Sequence, residues 1–205
     1  MSFWQNKKVL VTGAGGFTGS HLSRALANAG ASVRAYAKRG SPLTNIQDIL
    51  DKVQVVKGDI TDFSSLFNAM KDVDYVFHTA AIVPVAESRE LPYSSIQVNS
   101  VGVFNVAWAA RANNVKKVLH VSTCHVYGNQ PEDRLPLKED TRPNPVDVYS
   151  SAKYAGEILL KPFILQESAT QFLITRAFNK FGPNQVGDWL IPRTIKQVLN
   201  KKNPK

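Results

Sequence analysis

At 205 residues, with 43% hydrophobic side chains, the chain is sized for one large domain, or for one domain and part of a second. Its 25 basic and 16 acidic side chains leave a formal net charge of +9, but the cations are scattered in short clusters, which suits phosphorylated small molecules better than nucleic acid or a membrane surface. No apolar run approaches the roughly 20 residues that cross a bilayer, the stretch Met1 to Lys8 lacks the apolar core of a signal peptide, and the single cysteine, Cys124, excludes an intrachain disulfide; the expectation is a cytoplasmic protein with no nucleic-acid or membrane partner.

The first element carries the strongest signal. Lys7 to Val11 reads as a buried strand, and Gly13, Gly16 and Gly19 follow it. A helix is predicted from Gly16 to Asn28, with Leu22, Ala25, Leu26 and Ala29 on one stripe. A strand, a glycine turn and a helix N-terminus make a site for a diphosphate. The exposed N–H groups and the helix dipole attract the anion, and glycine lets the backbone approach it. The spacing G-x-x-G-x-x-G fits better than G-x-G-x-x-G, whose third glycine falls on Thr18. A glycine turn without a ligand is the plainer alternative; the strand–turn–helix context speaks against it.

Further strands are predicted at Ser32 to Ala37, Val53 to Lys57, Asp74 to His78, Lys117 to Ser122 and Gln171 to Arg176. Helices fall between them, near Phe63 to Lys71, Tyr93 to Ala112 and Tyr149 to Glu167. This alternation defines an α/β protein: a doubly wound parallel sheet of Rossmann type, with helices on both faces and ligands beyond the carboxyl ends of the strands.

Each motif falls at such an end. After the second strand come Ala37, Lys38 and Arg39, where an NAD-selective site carries an acidic residue roughly 20 residues after the glycines. Two cations in its place favour NADP over NAD, although solvated loop charges also account for them. The third strand ends in Gly58-Asp59-Ile60; Asp59 either accepts from an adenine amino group or, like Thr61, caps the next helix. The fourth ends in Thr79-Ala80-Ala81, small residues that let a ribose or diphosphate lie against the backbone, or that simply pack.

The fifth strand ends in two hydroxyls, Ser122 and Thr123, predicted to face the crevice, followed by Cys124 and His125. In an extended segment these last two point to opposite faces, which disfavours a Cys–His nucleophile pair. His21, His78, His120 and His125 show no metal-ligand spacing. Tyr149 and Lys153 lie one helical turn apart and share a face. Free tyrosine, with a pKa of about 10, is a poor base at neutral pH. A nearby ammonium and an oxidised nicotinamide stabilise the phenolate, so that Tyr149 can take a proton from a substrate hydroxyl oriented by Thr123.

Together these residues resemble the extended short-chain dehydrogenase/reductases, in particular the nucleotide-sugar epimerase/dehydratase family. The resemblance runs from Phe3-Trp4 to about Arg193, through the glycine turn, Gly58-Asp59-Ile60, His78 to Ala81, Asn99 to Gly102, Ser122-Thr123, Val126-Tyr127-Gly128, Tyr149 to Lys153, Arg176 to Asn179 and Phe181-Gly182-Pro183. It implies that Gly13, Gly16, Phe17 and Gly19 hold the diphosphate, that Asp59 and Ile60 face adenine, and that Ala80 and Ala81 line the cofactor groove. Thr123, Tyr149 and Lys153 match the catalytic hydroxyl residue, base and lysine, the last two also meeting the cofactor. Ala177 and Phe178 meet the nicotinamide, and Asn179 lies near the substrate. Asn99 matches a mostly structural position.

Dehydratases of this family carry an acidic residue directly after the fifth-strand hydroxyl; here Cys124 and His125 stand there. The expected activity is therefore epimerisation of a nucleotide sugar through transient oxidation at C4, with a 4,6-dehydratase or keto-sugar reductase as alternatives within the enzyme class. A non-catalytic dinucleotide-binding protein is the alternative outside it. Residues 1–180 are predicted as the dinucleotide-binding domain and 181–205 as the start of a substrate-binding part that is mostly missing. Apolar residues beyond one stripe, Val103, Phe104, Trp108, Ile158, Leu159 and Phe163, together with the resemblance, point to a homodimer built on two paired helices.

Overall fold

The computed structural model describes residues 2–83, 85–185 and 189–201. In chain order the elements are β1 (Lys8–Thr12), α1 (Phe17–Asn28), β2 (Ser32–Ala37), β3 (Val53–Lys57), α2 (Phe63–Ala69), β4 (Tyr75–His78), α3 (Val85–Glu90), α4 (Pro92–Ile96), α5 (Gly102–Ala112), β5 (Lys117–Thr123), α6 (Val148–Leu165), β6 (Gln171–Ala177) and α7 (Leu190–Leu199). The six strands form one sheet in the order β3-β2-β1-β4-β5-β6, with every neighbouring pair parallel. Parallel strands need crossover helices, and those helices bury both faces.

The period-two alternation of β1 divides the core. Leu10 faces a cluster with Val76, Val118 and Phe172 of the sheet and Leu66, Val106 and Leu160 of α2, α5 and α6. Val9 and Val11 face the other way, against Leu26 of α1 and against Ile46 and Ile49. The last two lie in a 3₁₀ segment, Thr44–Ile49, that the pattern did not announce. Strand order reverses between β1 and β4, and the crevice over that switch point is where such sheets bind ligands.

The predicted helix from Tyr93 to Ala112 is two helices joined by a π-turn at Gln97–Val101. The turn is where α6 crosses most closely. Ser100 Oγ donates to the Ala152 carbonyl at 2.8 Å, and a Cβ on Gly156 would come within 2.6 Å of the Asn99 carbonyl. The Asn99 side chain pairs with the backbone of Ile82 in both senses, as the structural reading of that position expected. The cap of α2 differs from expectation. Asp62, not Asp59 or Thr61, accepts from the Ser65 N–H, while Asp59 accepts from the Thr61 N–H and hydroxyl.

The sheet ends at Ala177. Of the predicted second part, residues 186–188 and 202–205 lie outside the described residues. Within it, α7 leaves Leu190, Ile191, Ile195, Val198 and Leu199 exposed. Among the described residues no helix is long and apolar enough to cross a membrane.

Candidate functional site

The glycine turn is set by close contact with β4. Gly13 adopts φ +68°, and a Cβ there would stand 2.8 Å from the Ala80 backbone. A Cβ on Gly19 would overlap the Gly13 carbonyl, which also accepts from the Gly16 N–H at 2.9 Å. Gly16 supplies no side-chain cap to α1, and the first turn carries no acidic residue. The leading N–H groups of α1 therefore keep their capacity for an anion. This glycine-only cradle at a helix N-terminus fits a dinucleotide diphosphate. Phe17 sits at its rim, edge-on to His21, and His21 Nε2 lies 2.9 Å from the Pro183 carbonyl, tying the turn to the segment after β6.

At the end of β2 an open recess of about 470 Å³ is lined by Lys38, Arg39, Gly58, Asp59, Asp62, Ser64, Ser65 and Asn68. Lys38 is not a free charge: its Nζ lies 3.8 Å from Asp59 Oδ2. Partial burial raises the Asp59 pKa, but the Thr61 bonds and Lys38 outweigh it and hold the carboxyl below its ordinary value. Ile60 is turned into the core against Gly102 rather than toward the recess. Ala80 and Ala81 stand half-buried after β4.

Thr123 at the end of β5 and Tyr149 at the start of α6 stand close together. A capping box starts α6: Asp147 Oδ1 accepts from the Ser150 N–H at 2.7 Å, and the Ser150 hydroxyl accepts from the Asp147 N–H at 3.2 Å. This fixes Tyr149 in the first turn, 8% exposed and near enough to the Thr123 side chain for that hydroxyl to act on the phenol. Burial raises the phenol pKa and the Thr123 bond only partly offsets it. Thr123 Oγ1 also accepts from the His125 N–H at 3.2 Å, capping a 3₁₀ turn over Cys124–Tyr127. That turn, rather than an extended segment, carries Cys124 and His125. The His125 ring stands edge-on to Tyr149 at 5.9 Å, and burial raises the Cys124 pKa.

Lys153 is buried to 2% exposure, and its Nζ donates to the Val121 carbonyl at 2.7 Å. Burial lowers its pKa to about 7, against the pull of Glu157. Lys153 shares the helix face of Tyr149, with its ammonium bonded to the Val121 carbonyl. Ser122 does not face the crevice: its hydroxyl donates to Glu157. Glu157 also receives Arg176 Nη2 at 2.8 Å and Nε at 3.1 Å, and the guanidinium lies 4.8 Å from the Tyr127 ring centre. Reading motifs singly missed this clamp, although Tyr127, Glu157 and Arg176 all lie in or beside quoted motifs.

Between the sheet and α6 the rings of His78 and His120 stack at 5.1 Å, both buried, with His78 Nδ1 2.7 Å from Thr12 Oγ1. Burial, together with the Lys153 charge, pushes the His78 pKa down to about 3 and that of His120 well below its ordinary value. On the adjacent strand Ala177 pairs with Thr123, and Phe178, Asn179 and Lys180 emerge exposed beyond it. Among the described residues no group of three or more histidine, cysteine or acidic side chains is placed to hold a metal ion.

A parallel sheet in this order, with a glycine cradle at its switch point, is a Rossmann-type dinucleotide-binding fold. The sequence matches the NAD dependent epimerase/dehydratase family over residues 9–205, and the chain belongs to that family. The dTDP-glucose 4,6-dehydratase of Mycolicibacterium smegmatis is 31% identical over 97% of this chain; the chain spans 61% of that relative's length. The structure of a UDP-N-acetylglucosamine 4-epimerase from Methanobrevibacter ruminantium M1, in complex with UDP-N-acetylmuramic acid, matches with a TM-score of 0.88 and 33% identity over 98% of this chain and 65% of that one. A dTDP-glucose 4,6-dehydratase from Streptomyces venezuelae with NAD bound matches with a TM-score of 0.86 and 26% identity over 95% of this chain and 62% of that one.

The buried ammonium gives a pH dependence of known sign. Folded Lys153 titrates near pH 7, against about 10.4 in an unfolded chain. Between those values the unfolded state binds the extra proton, so stability rises with pH and the penalty is fully present only below pH 7. In protein freed of dinucleotide, the unfolding free energy of wild type relative to Lys153→Met should rise by about 1.4 kcal/mol per pH unit between about pH 7.5 and 9. Urea denaturation at a series of pH values measures it; a flat difference means that the ammonium is not desolvated.

Proposed function

We propose that this chain is the dinucleotide-binding part of an enzyme that epimerises a nucleotide-linked sugar at C4. The observation that carries the proposal is the meeting of Thr123 and Tyr149, one helical turn from Lys153, beside a glycine cradle and with no carboxylate next to Thr123. Gly13, Gly16, Phe17 and Gly19 hold the diphosphate, Ala80 and Ala81 line the groove, and Ala177 and Phe178 meet the nicotinamide. When bound, the nicotinamide supplies the hydride acceptor and donor. Thr123 fixes the reacting hydroxyl, Tyr149 takes its proton and later returns it, and Asn179 contacts the sugar. Because burial raises the Tyr149 pKa, the phenolate depends on a cation brought against it, which is the role of Lys153.

A 4,6-dehydratase needs a further base at C5 and an acid at C6. Burial keeps the Cys124 thiol protonated and neutral. His125, edge-on to Tyr149, is the group left to act as the C5 base of a dehydratase, the reading that the similarity to a 4,6-dehydratase supports. A non-catalytic dinucleotide-binding protein has no use for the Thr123–Tyr149 pair.

Incubation with a panel of nucleotide sugars in deuterated water separates these readings. Epimerisation leaves C5 unlabelled; deuterium at C5 with a 4-keto-6-deoxy product establishes dehydration instead. In either case Tyr149→Phe should lower kcat by about 10²–10⁴-fold and leave the dinucleotide bound.

The same proposal extends to the cofactor and the assembly. Family membership makes the cofactor a nicotinamide dinucleotide. A preference for NADP over NAD is supported by the lack of an acid at the end of β2 and by Arg39, since Lys38 is held by Asp59. Arg39→Ala should weaken NADP binding by about tenfold and leave NAD affinity unchanged; fluorescence titration with both dinucleotides checks it. A homodimer is supported by exposed apolar side chains on adjacent faces of α5 and α6, namely Phe104, Trp108, Ile158 and Leu159. Light scattering at micromolar concentration should give twice the monomer mass, and Trp108→Glu should halve it.

A further inference from the structure

The segment that leaves β6 runs back across the carboxyl ends of the sheet. Ala177 ends β6 beside β5, while Gly182 and Pro183 touch the start of α1, on the far side of the crevice. From β6 past β5 and β4 to β1 is about 14 Å at the usual strand spacing. The six steps from Ala177 to Pro183 reach about 20 Å at full extension, so the path is nearly direct and passes over the switch point.

Two contacts fasten its far end. A Cβ on Gly182 would stand 3.5 Å from the Phe17 ring, so the backbone there lies against that ring. His21 Nε2 is 2.9 Å from the Pro183 carbonyl; a carbonyl only accepts, so Nε2 carries the proton and donates. Among the described residues it is the hydrogen bond that joins this segment to α1. Phe17 and His21 lie one turn apart on α1, and their rings meet edge-on at 5.2 Å. The segment presents Pro183 to them on a closed turn. The Gln185 N–H donates to the Gly182 carbonyl at 3.3 Å around Pro183 and Asn184, and Asn184 has φ +65°, positions that suit proline and asparagine. Gln185 Nε2 also donates to the Lys180 carbonyl at 3.2 Å. The Pro183 carbonyl stays outside the turn's own bonds and is left for His21.

The two ends of this segment therefore stand at the glycine cradle and at Ala177, the places proposed for the diphosphate and the nicotinamide. We infer that residues 178–183 form a strap over the bound dinucleotide and that His21 is the positioning residue that latches it, so that the cofactor enters and leaves only when the His21–Pro183 bond opens. The inference rests on the proposed nicotinamide-dinucleotide reading of the cradle. The competing reading is a staple that steadies the fold without crossing the path of the cofactor.

Exchange kinetics separate the two. Protein freed of dinucleotide is reloaded with NADPH and chased with excess NADP, and in parallel with NADH and NAD; nicotinamide fluorescence gives koff, and stopped-flow mixing gives kon. The latch touches the strap and not the dinucleotide, so its loss speeds exchange in both directions. His21→Ala should raise koff and kon together by about three- to tenfold and change Kd by less than about twofold. His21→Gln, which keeps an N–H donor of similar reach, should exchange at the wild-type rates. Unchanged rates in His21→Ala overturn the inference, and so does a His21→Gln variant as fast as His21→Ala. A rise in koff with kon unchanged assigns His21 to the dinucleotide itself and also overturns the latch. Hydrogen exchange on the wild type needs no variant: bound dinucleotide should slow the amides of residues 178–182 together with those of residues 13–19. Protection of the cradle alone overturns the strap, whereas failure of both dinucleotides to bind overturns the cofactor reading as well.

Discussion

The site depends on α6 being held against the carboxyl ends of β5 and β6, and the Glu157–Arg176 ion pair is the interaction that holds it there. Glu157 lies two turns along α6 from Tyr149; Arg176 lies next to the last residue of β6, and Ser122 next to the last of β5. One carboxylate thus binds the helix to both strands. Its side chain is 5% exposed, so Arg176, Ser122 and the nearby Lys153 ammonium compensate its charge in place of water. A pair of this kind adds little net stability, because desolvation cancels most of the attraction, but removing one partner costs about 3–5 kcal/mol. Its value is positional: a planar guanidinium, bonded to one acid and laid over Tyr127, permits one geometry, which a lysine would not.

Above the apolar core lies a second, polar layer: Thr12, His78, His120, Lys153 and Glu157. Lys153 and Glu157 carry its charges, and the Lys153 charge combines with burial to keep both imidazoles neutral. His78 Nε2 and both nitrogens of His120 have no hydrogen-bond partner among the described residues. These nitrogens leave hydrogen-bonding capacity directly beneath the proposed chemistry.

Much of this was legible in the sequence, because it depends on local pattern. Strand and helix periodicity gave all six strands of the sheet to within a residue or two, and the glycine spacing marked the cradle, since only glycine fits where Gly13 meets Ala80. The one-turn spacing of Tyr149 and Lys153 was equally local. What escaped depends on side chains that meet across sequence. Ser122 turned to Glu157 instead of the crevice because β5 alternates faces, placing it opposite Thr123. Lys38 lost its freedom to Asp59, an acid on a neighbouring strand end. The 3₁₀ turn at Cys124 rests on the capping hydroxyl of Thr123, a choice that composition alone does not reveal.

The π-turn at Gln97–Val101 has a consequence for helix phase. It puts five residues where an α-helix has about four, so every residue after it is rotated by about 100° relative to the helix before it. Val103, Val106, Ala107 and Ala110 of α5 face the core and Phe104 and Trp108 face outward only because of that added residue. Deleting one residue there would restore a regular helix and move each later residue to the place of the one before it, which puts Phe104 and Trp108 where Val103 and Ala107 now face the core. The length of this short segment, more than its composition, decides which side of the helix is available to another surface.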